Sequence, residues 1–393
     1  MTNAREPARS MTDARWMIGV DVGGTKVAAG FVNEHGELGE HLRVPMNTGG
    51  TAEEGFAAVT CALDELLGRR SSTDELPTQN NSTQNDSTQN DPADMDLVQG
   101  DSGQGMDSGA GMGLRMDLVV GTGREFPIGI CAPGPLDPRT GVVLNPPNVP
   151  CWRDFPLADE ILLRYGVEPK VDNDANAAAL AENLWGAGRG YANVFYACIG
   201  TGIGAGIVLD GKIFHGRTGS AAEGGHVTID YRGPRCNCGK RGCIEALASG
   251  TAIARRAREA LAREALTAAE MREGKKRGAK LLALASGDAE RIRSEMVGRA
   301  ASAGDPLAQE ILSDTIEYLA VWLGNIVDLL EPEVMILGGG VSEMLRPHFP
   351  ELQARMKQWC VNARYAEIPL LPAHYGENSG IAGGAALCAS GKF

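Results

Sequence analysis

Two glycine-rich turns, each set between apolar segments, constrain the fold more than any other feature of this sequence. The first lies in residues 17–33 (MIGVDVGGTKVAAGFVN) and the second in residues 193–214 (NVFYACIGTGIGAGIVLDGKIF). Apolar runs that flank a glycine turn indicate a strand, a tight turn and a second strand. Because one such unit stands in each half of the chain, we predict a duplicated α/β fold that clamps one polyphosphate from two sides.

The residues of these turns suit phosphate binding. Glycine lets the backbone approach phosphate oxygens and present N–H groups to them, and Thr25 and Lys26 add a hydroxyl and a positive charge. A hairpin without a ligand is the alternative for the first turn, since a glycine pair after a strand is common. A third glycine run follows an apolar segment in residues 331–341, where a nucleoside could lie against bare backbone. The predicted nucleotide contacts in the three turns are Gly23, Gly24, Thr25, Lys26, Gly200, Thr201, Gly202, Gly204, Gly338 and Gly339.

Residues 223–245 (EGGHVTIDYRGPRCNCGKRGCIE) place three cysteines and one histidine in one short segment. A Cys3His set suits tetrahedral zinc, and four protein ligands leave no open position, so the site would be structural. Ordinary reduced cysteines in a glycine-rich loop are the alternative. Glu223 and Glu245 flank the set without being needed as ligands, and we expect them to serve another role. The predicted zinc ligands are His226, Cys236, Cys238 and Cys243.

A carboxylate stands where a short strand is expected to meet a helix. Residues 170–189 (KVDNDANAAALAENLWGAGR) predict a strand that ends at Asn173 and Asp174, followed by an alanine-rich helix that begins near Asn176. Such a junction is a common position for a catalytic group. The alternative is that Asp174 only caps the helix, since aspartate and asparagine both favour that position.

The segments between these motifs differ in character. Residues 51–70 predict a helix with a cap at Thr51, and residues 251–330 predict several helices with a break near 285–288. Residues 377–387 predict a final helix of small side chains. Residues 71–113 hold repeated TQN units and contain no lysine or arginine, so we predict a disordered acidic insertion.

Composition excludes several classes of function. A chain of 393 residues, 43% of them hydrophobic, is long enough for two packed cores. Its net charge of -13 argues against nucleic acid and anionic membranes as partners. No apolar run reaches the length of a spanning helix, the start lacks the hydrophobic core of a signal peptide, and nine cysteines fit a reducing compartment, so we expect a cytoplasmic protein. The six cysteines outside the metal set are expected to be small buried apolar residues, namely Cys61, Cys131, Cys151, Cys198, Cys360 and Cys388.

The ordered motifs resemble those of the ROK family, in the actin-like ATPase superfamily. They are DVGGTK, APGPLD with NPPN and Trp152, VDNDANAAALAE, GTGIGAG, EGGH and CNCGKRGCIE, and they cover the chain from about residue 17 to 387 apart from the insertion. The resemblance implies two ribonuclease-H-like domains around a central cleft, with ATP against the glycine turns and a hexose at the hinge. The corresponding boundaries are a flexible N-terminus at 1–16, a small domain at 17–150 and a large domain at 151–393. The last helix of the large domain could pack on the small domain.

The resemblance also implies roles for individual residues. Asp174 would be the general base for the 6-hydroxyl of a hexose, with glucose as the first candidate, and Asp21 would face Mg²⁺. His226 would use one ring nitrogen for zinc and the other for the sugar. The implied sugar contacts are Asn173, Glu223, His226, Glu245, Asn148 and Gly134.

Two alternatives remain open from the sequence. An N-acetylmannosamine or N-acetylglucosamine kinase would use the same glutamates and histidine, and the choice depends on room at the sugar's 2-position. A sugar-responsive repressor of the same family would carry a winged helix-turn-helix, for which the sixteen residues before Met17 are too few. The resemblance further implies a homo-oligomer, either dimer or tetramer, while ATP and polyphosphate are not distinguished as donors.

Overall fold

A computed structural model describes residues 14–71, 126–268 and 277–390 of the chain. The predicted insertion at 71–113 lies outside these residues except for Ser71, as does the N-terminus up to residue 13.

The first half of the chain forms a five-stranded mixed sheet. The elements are β1 Trp16–Val22, β2 Lys26–Asn33, β3 Leu38–Pro45, α1 Ala52–Ser71, β4 Ile128–Ala132, β5 Leu136–Asp137, β6 Val142–Val143, α2 Leu157–Tyr165, β7 Lys170–Asn173 and α3 Asp174–Leu184. The strand order is β3-β2-β1-β4-β7, with β1, β4 and β7 parallel and β2 and β3 antiparallel to their neighbours. A two-stranded sheet of β5 and β6 and helix α2 connect β4 to β7.

The second half repeats this plan. The elements are β8 Val194–Ile199, β9 Ile203–Leu209, β10 Lys212–Ile213, α4 Ile244–Ala248, α5 Gly250–Ala268, α6 Ala279–Leu284, α7 Ser294–Ser302, α8 Pro306–Leu330, β11 Val334–Gly338, α9 Gly340–Leu345, α10 Phe349–Met356, β12 Leu370–Pro372 and α11 Ser379–Ala389. The five-stranded sheet has the order β10-β9-β8-β11-β12, again with three parallel strands and an antiparallel edge. Helices α4 to α8 follow β10 and precede β11 along the chain.

The last helix of each half packs against the sheet of the other half. Helix α3 follows β7 but contacts β8 and β9, whereas α11 follows β12 but contacts β1 and β4. The two helices also contact each other. Their alanine and glycine content allows this close approach, and it brings the carboxyl end of β7 to the second sheet.

Gly19 in β1 shows how closely α11 approaches the first sheet. A Cβ on Gly19 would lie 1.8 Å from the carbonyl oxygen of Ile381 in α11. Any side chain at this position would therefore collide with the helix unless the helix moved. Gly129 in β4 meets the carbonyl oxygen of Gly384 at the same distance. The contact is therefore made by backbone atoms of both elements.

Most elements agree with the predictions. The α/β class, the strand–turn–strand units and the helix from residue 52 are confirmed. Thr51 caps α1 reciprocally with Glu54: the Glu54 N–H donates to the Thr51 hydroxyl at 3.2 Å, and the Thr51 N–H donates to the Glu54 carboxylate at 3.0 Å. The division into two domains at residue 150 stays a prediction, and β7 lies in the first sheet beyond that position.

Two predictions were wrong in detail. Helix α3 begins at Asp174 rather than near Asn176, because the cap is Asn173, whose side-chain oxygen accepts from the N–H groups of Ala175 and Asn176. Cys61 is exposed rather than buried, since it lies on the outer face of α1. Cys131 is buried as expected, and Cys151, Cys198, Cys360 and Cys388 are half-buried.

Each sheet has a separate apolar core. The first is built around Phe31, Leu63 and Trp152, and the second around Phe195 and Trp322. Among the described helices, none combines the length and apolar character needed to cross a membrane.

We expect Gly19→Ala to destabilise the protein by about 3 kcal/mol, because the added methyl group would collide with backbone rather than with a movable side chain. Urea unfolding of the purified variant measures the change. Gly340→Ala is the matched control, since nothing lies within 4 Å of a Cβ at that position. Equal stability of both variants and the wild type would contradict the described packing of α11.

Candidate active site and metal centre

A cavity of about 70 Å³ lies where β7 ends and α3 begins. Its walls come from both halves of the chain, because the segment after β10 approaches the β7–α3 junction from the other side. Asp174 and Glu223 both line it, together with Asn173 and Gly134. The remaining lining residues are Pro135, Leu136, Asn176, Ile203, Gly204, Ala205, Gly219, Ser220, Ala221, Ala222 and Gly224.

Asp174 is the first residue of α3 and is accessible from the cavity. Although a small molecule can reach its carboxylate, protein surrounds it on the other sides, and this removal from bulk water raises its pKa above the usual value. The Ala175 N–H, 2.8 Å away, acts in the opposite direction, and the negative charge of Glu223 raises the pKa further. The predicted capping role belongs to Asn173, which leaves Asp174 available for chemistry.

Asp21 is a second carboxylate of the same region. It lies near the end of β1, and burial, followed by the charge of Asp174, raises its pKa to about 6. The cations Lys26 and Arg43 act in the opposite direction. Asp21 and Asp174 therefore belong to one electrostatic cluster, beside the first glycine turn.

The three glycine turns lie around this cluster. The first closes through the Gly23 N–H, which donates to the Lys26 carbonyl at 2.9 Å. The second is tied to the start of α5, because the Gly250 N–H donates to the Gly200 carbonyl at 2.8 Å and the Thr251 hydroxyl donates to the Thr201 carbonyl at 2.9 Å. The third begins where Gly338 of β11 pairs with Cys198 of β8, so it lies next to the second.

The predicted metal ligands are brought together. One ligand atom each from His226, Cys236, Cys238 and Cys243 lies within 4.8 Å of the others. The Cys236 sulfur is 3.6 Å from Nδ1 of His226, and the sulfurs of Cys238 and Cys243 are 3.6 Å apart. Zinc bonded to sulfur at about 2.3 Å and to nitrogen at about 2.0 Å in a tetrahedron requires ligand separations of roughly 3.5–3.8 Å. The donor set therefore fits zinc in both chemistry and spacing.

The predicted zinc-binding loop is connected to the cavity wall by a hydrogen bond and by close packing. Oε2 of Glu245 accepts from the N–H of Ile203, a lining residue, at 3.0 Å, while Oε1 lies 3.9 Å from Nδ1 of His226. The EGGH segment packs directly on β9, because a Cβ on Gly225 would lie 1.8 Å from the Ile203 carbonyl oxygen. A metal that fixes the cysteine loop would thus also fix Glu223, two residues before Gly225.

The structure brings only some of the predicted sugar contacts to the cavity. Asn173, Glu223 and Gly134 line it with Asp174, whereas His226, Glu245 and Asn148 are not among the described residues of its wall. Asn148 lies against the first glycine turn, since a Cβ on Gly24 would lie 2.6 Å from the Asn148 carbonyl oxygen. The sugar contacts of all six residues remain predictions.

Sequence reasoning missed Asn176. Its side chain is buried and lines the cavity, and its Nδ2 donates to Asp172 at 3.1 Å. The Asn176 Oδ1 is buried and has no hydrogen-bond partner among the described residues. The available signal was a polar amide in an alanine-rich helix, two residues after the predicted base.

Comparison with known proteins shows the family and the fold of the chain. The ROK family model matches residues 118–390. A glucokinase of Thermotoga maritima is 35% identical over 271 residues, which are 69% of this chain and 81% of that protein. A xylose repressor of Bacillus subtilis is 29% identical over 256 residues, which are 64% of this chain and 58% of the repressor.

One solved structure extends the comparison to nearly the whole chain. It is a ROK family glucokinase from Streptomyces griseus in complex with glucose and AMPPNP, with 29% identity and a TM-score of 0.68, and the match covers 95% of this chain and 98% of that one. The fold is the α/β fold of the ROK sugar kinases, in the actin-like ATPase class. The chain belongs to the ROK family.

We expect about one zinc ion per chain by elemental analysis, and we expect Cys243→Ser to lose both the zinc and the affinity for sugar. Cys243 is buried in the cluster. The serine hydroxyl that replaces its thiolate is a poor ligand for zinc in a site built from thiolates. The matched control is Cys61→Ser, an exposed cysteine of α1. Full sugar affinity in a zinc-free Cys243→Ser protein would contradict a structural role for the metal.

Proposed function

We propose that the chain transfers the γ-phosphoryl group of ATP to the 6-hydroxyl of a hexose, with glucose as the substrate and Asp174 as the general base. The chain is an ATP-dependent sugar kinase. The observation that carries the finer proposal is the Asp174 carboxylate, which is accessible in a cavity opposite Glu223 and has a raised pKa. A base whose pKa is moved toward neutrality transfers protons more effectively near neutral pH.

The reaction requires little covalent chemistry from the protein. Asp174 accepts the proton of the sugar hydroxyl as that oxygen bonds to the γ-phosphorus, and the bond to ADP breaks. Asn173 and Glu223 hold further hydroxyls, so that the reacting oxygen is aligned, and alignment of this kind supplies several kcal/mol. The backbone of the glycine turns binds the phosphates, assisted by Thr25 and Lys26. Mg²⁺, held near Asp21, would neutralise phosphate charge.

The nature of the relatives favours glucose as the substrate. The Streptomyces griseus protein was solved with glucose and AMPPNP, and the Thermotoga maritima relative is a glucokinase. The glucokinase is matched over 81% of its length, whereas the xylose repressor is matched over 58%. The net charge of -13 is also unfavourable for DNA binding. We therefore infer a kinase that acts on a free hexose.

We expect Asp174→Asn to lower kcat by at least about a thousandfold while the fold survives, because an amide cannot accept the hydroxyl proton. ADP release coupled to a second enzyme measures turnover with glucose, mannose, fructose, N-acetylglucosamine and N-acetylmannosamine. Glucose should give the highest kcat/KM.

Asp210→Asn is the control for this substitution. Asp210 is a carboxylate of the β9–β10 turn with φ of 51°, a conformation that asparagine also tolerates, so its turnover should be normal. Near-normal activity of Asp174→Asn would contradict the assignment of the base, and preference for an N-acetylated sugar would contradict the proposed substrate.

A further inference from the structure

Asp172, two residues before the proposed base, is a buried carboxylate that is bound to two residues of the cavity wall, Asn173 and Asn176. Its side chain is 1% exposed, and its Oδ1 accepts from the N–H of Asn173 at 2.7 Å and from Nδ2 of Asn176 at 3.1 Å. Its Oδ2 lies 2.6 Å from Nε2 of His215. Because an ionised carboxylate can only accept, Nε2 of His215 must carry the proton of this contact.

The contact between Asp172 and His215 joins the two halves of the chain. Asp172 lies in β7 of the first sheet, whereas His215 follows β10 of the second sheet by two residues. His215 also begins the segment that leads to Glu223, and its carbonyl oxygen accepts from the N–H of Ala221 at 3.2 Å. The last five residues of that segment, 219–223, line the cavity. The pair is therefore an anchor between the Glu223 segment and the Asp174 junction.

Asp172 also organises the first turn of α3. The Asn173 N–H and the Asn176 amide are both bound to its Oδ1, on either side of Asp174. The carboxylate fixes the orientation of the Asn176 amide, since Nδ2 must face an acceptor. The Oδ1 of Asn176 is buried and has no hydrogen-bond partner among the described residues.

We propose that Asp172 and His215 are positioning residues that set the geometry between Asp174 and Glu223 across the sugar site. The proposal rests on the proposed function, and neither residue needs to touch the sugar. Loss of the His215 donor leaves the buried Asp172 carboxylate with the Asn173 and Asn176 donors of the first half, and the segment that carries Glu223 loses this contact with the first sheet. The sugar site should be affected, whereas the glycine turns, which hold the nucleotide, should not.

The test compares His215→Leu, which removes the donor, with His215→Gln, whose amide can still donate to Asp172. We expect His215→Leu to raise the KM for glucose and lower kcat by about tenfold each, since small misplacements of reacting groups have effects of this size or larger. The KM for ATP should stay within about twofold, and His215→Gln should recover most of the loss. His348→Leu is the control for the substitution itself, because His348 also contacts a carboxylate, that of Glu351 in α10 at 3.3 Å, but does so among residues outside the cavity wall.

The outcomes separate this proposal from the proposed function. A wild-type protein that neither binds nor phosphorylates a hexose overturns both. A normal KM for glucose and a normal kcat in folded His215→Leu, or equal impairment of glucose and ATP binding, overturns the positioning role alone. So does a His215→Gln variant as impaired as His215→Leu. If His215→Leu does not fold, Asp172→Asn replaces it, and unchanged glucose kinetics in that variant overturn the proposal.

Discussion

The packing of α3 and α11 against each other's sheets is the constraint on which the site depends. Each helix begins at the end of one sheet and crosses to the other, and close backbone contacts at Gly19 and Gly129 allow α11 to make this crossing. The same arrangement brings the start of α3 beside β9 and the segment after β10. A carboxylate of the first half and a glutamate of the second half therefore share one cavity, and neither half can form the site alone.

Charge is distributed in this site in a way that favours reactivity over stability. The charge of Asp174 acts unfavourably on Asp21, that of Glu223 acts unfavourably on Asp174, and removal from water raises the pKa of both aspartates. Carboxylates with raised pKa values concentrate at functional sites, and a phosphoryl-transfer site uses such groups to hold a cation and to accept a proton. Asp172 is different, because its carboxylate is bound to three partners. These are the Asn173 N–H of β7, the Asn176 amide of α3 and the His215 ring in the second half of the chain.

Local patterns predicted the elements but not their long-range contacts. The glycine turns, the Thr51 cap and the Cys3His set are short-range signals, and each was found in its expected place. The start of α3 was misplaced because Asn173 and Asp174 are equivalent as caps on propensity, and only the strand pairing of β7 decides between them. The role of the Asp172–His215 pair depends on a contact across 43 residues, which no periodicity reports.

The regiochemistry of the product tests the central claim most directly. Incubation of the purified protein with ATP and glucose, followed by phosphorus and carbon NMR, identifies the hydroxyl that receives the phosphoryl group. The account predicts glucose 6-phosphate and ADP in equal amounts, formed at least about a thousandfold more slowly by the Asp174→Asn variant. Phosphate on another hydroxyl, or release of inorganic phosphate without a sugar phosphate, would contradict it.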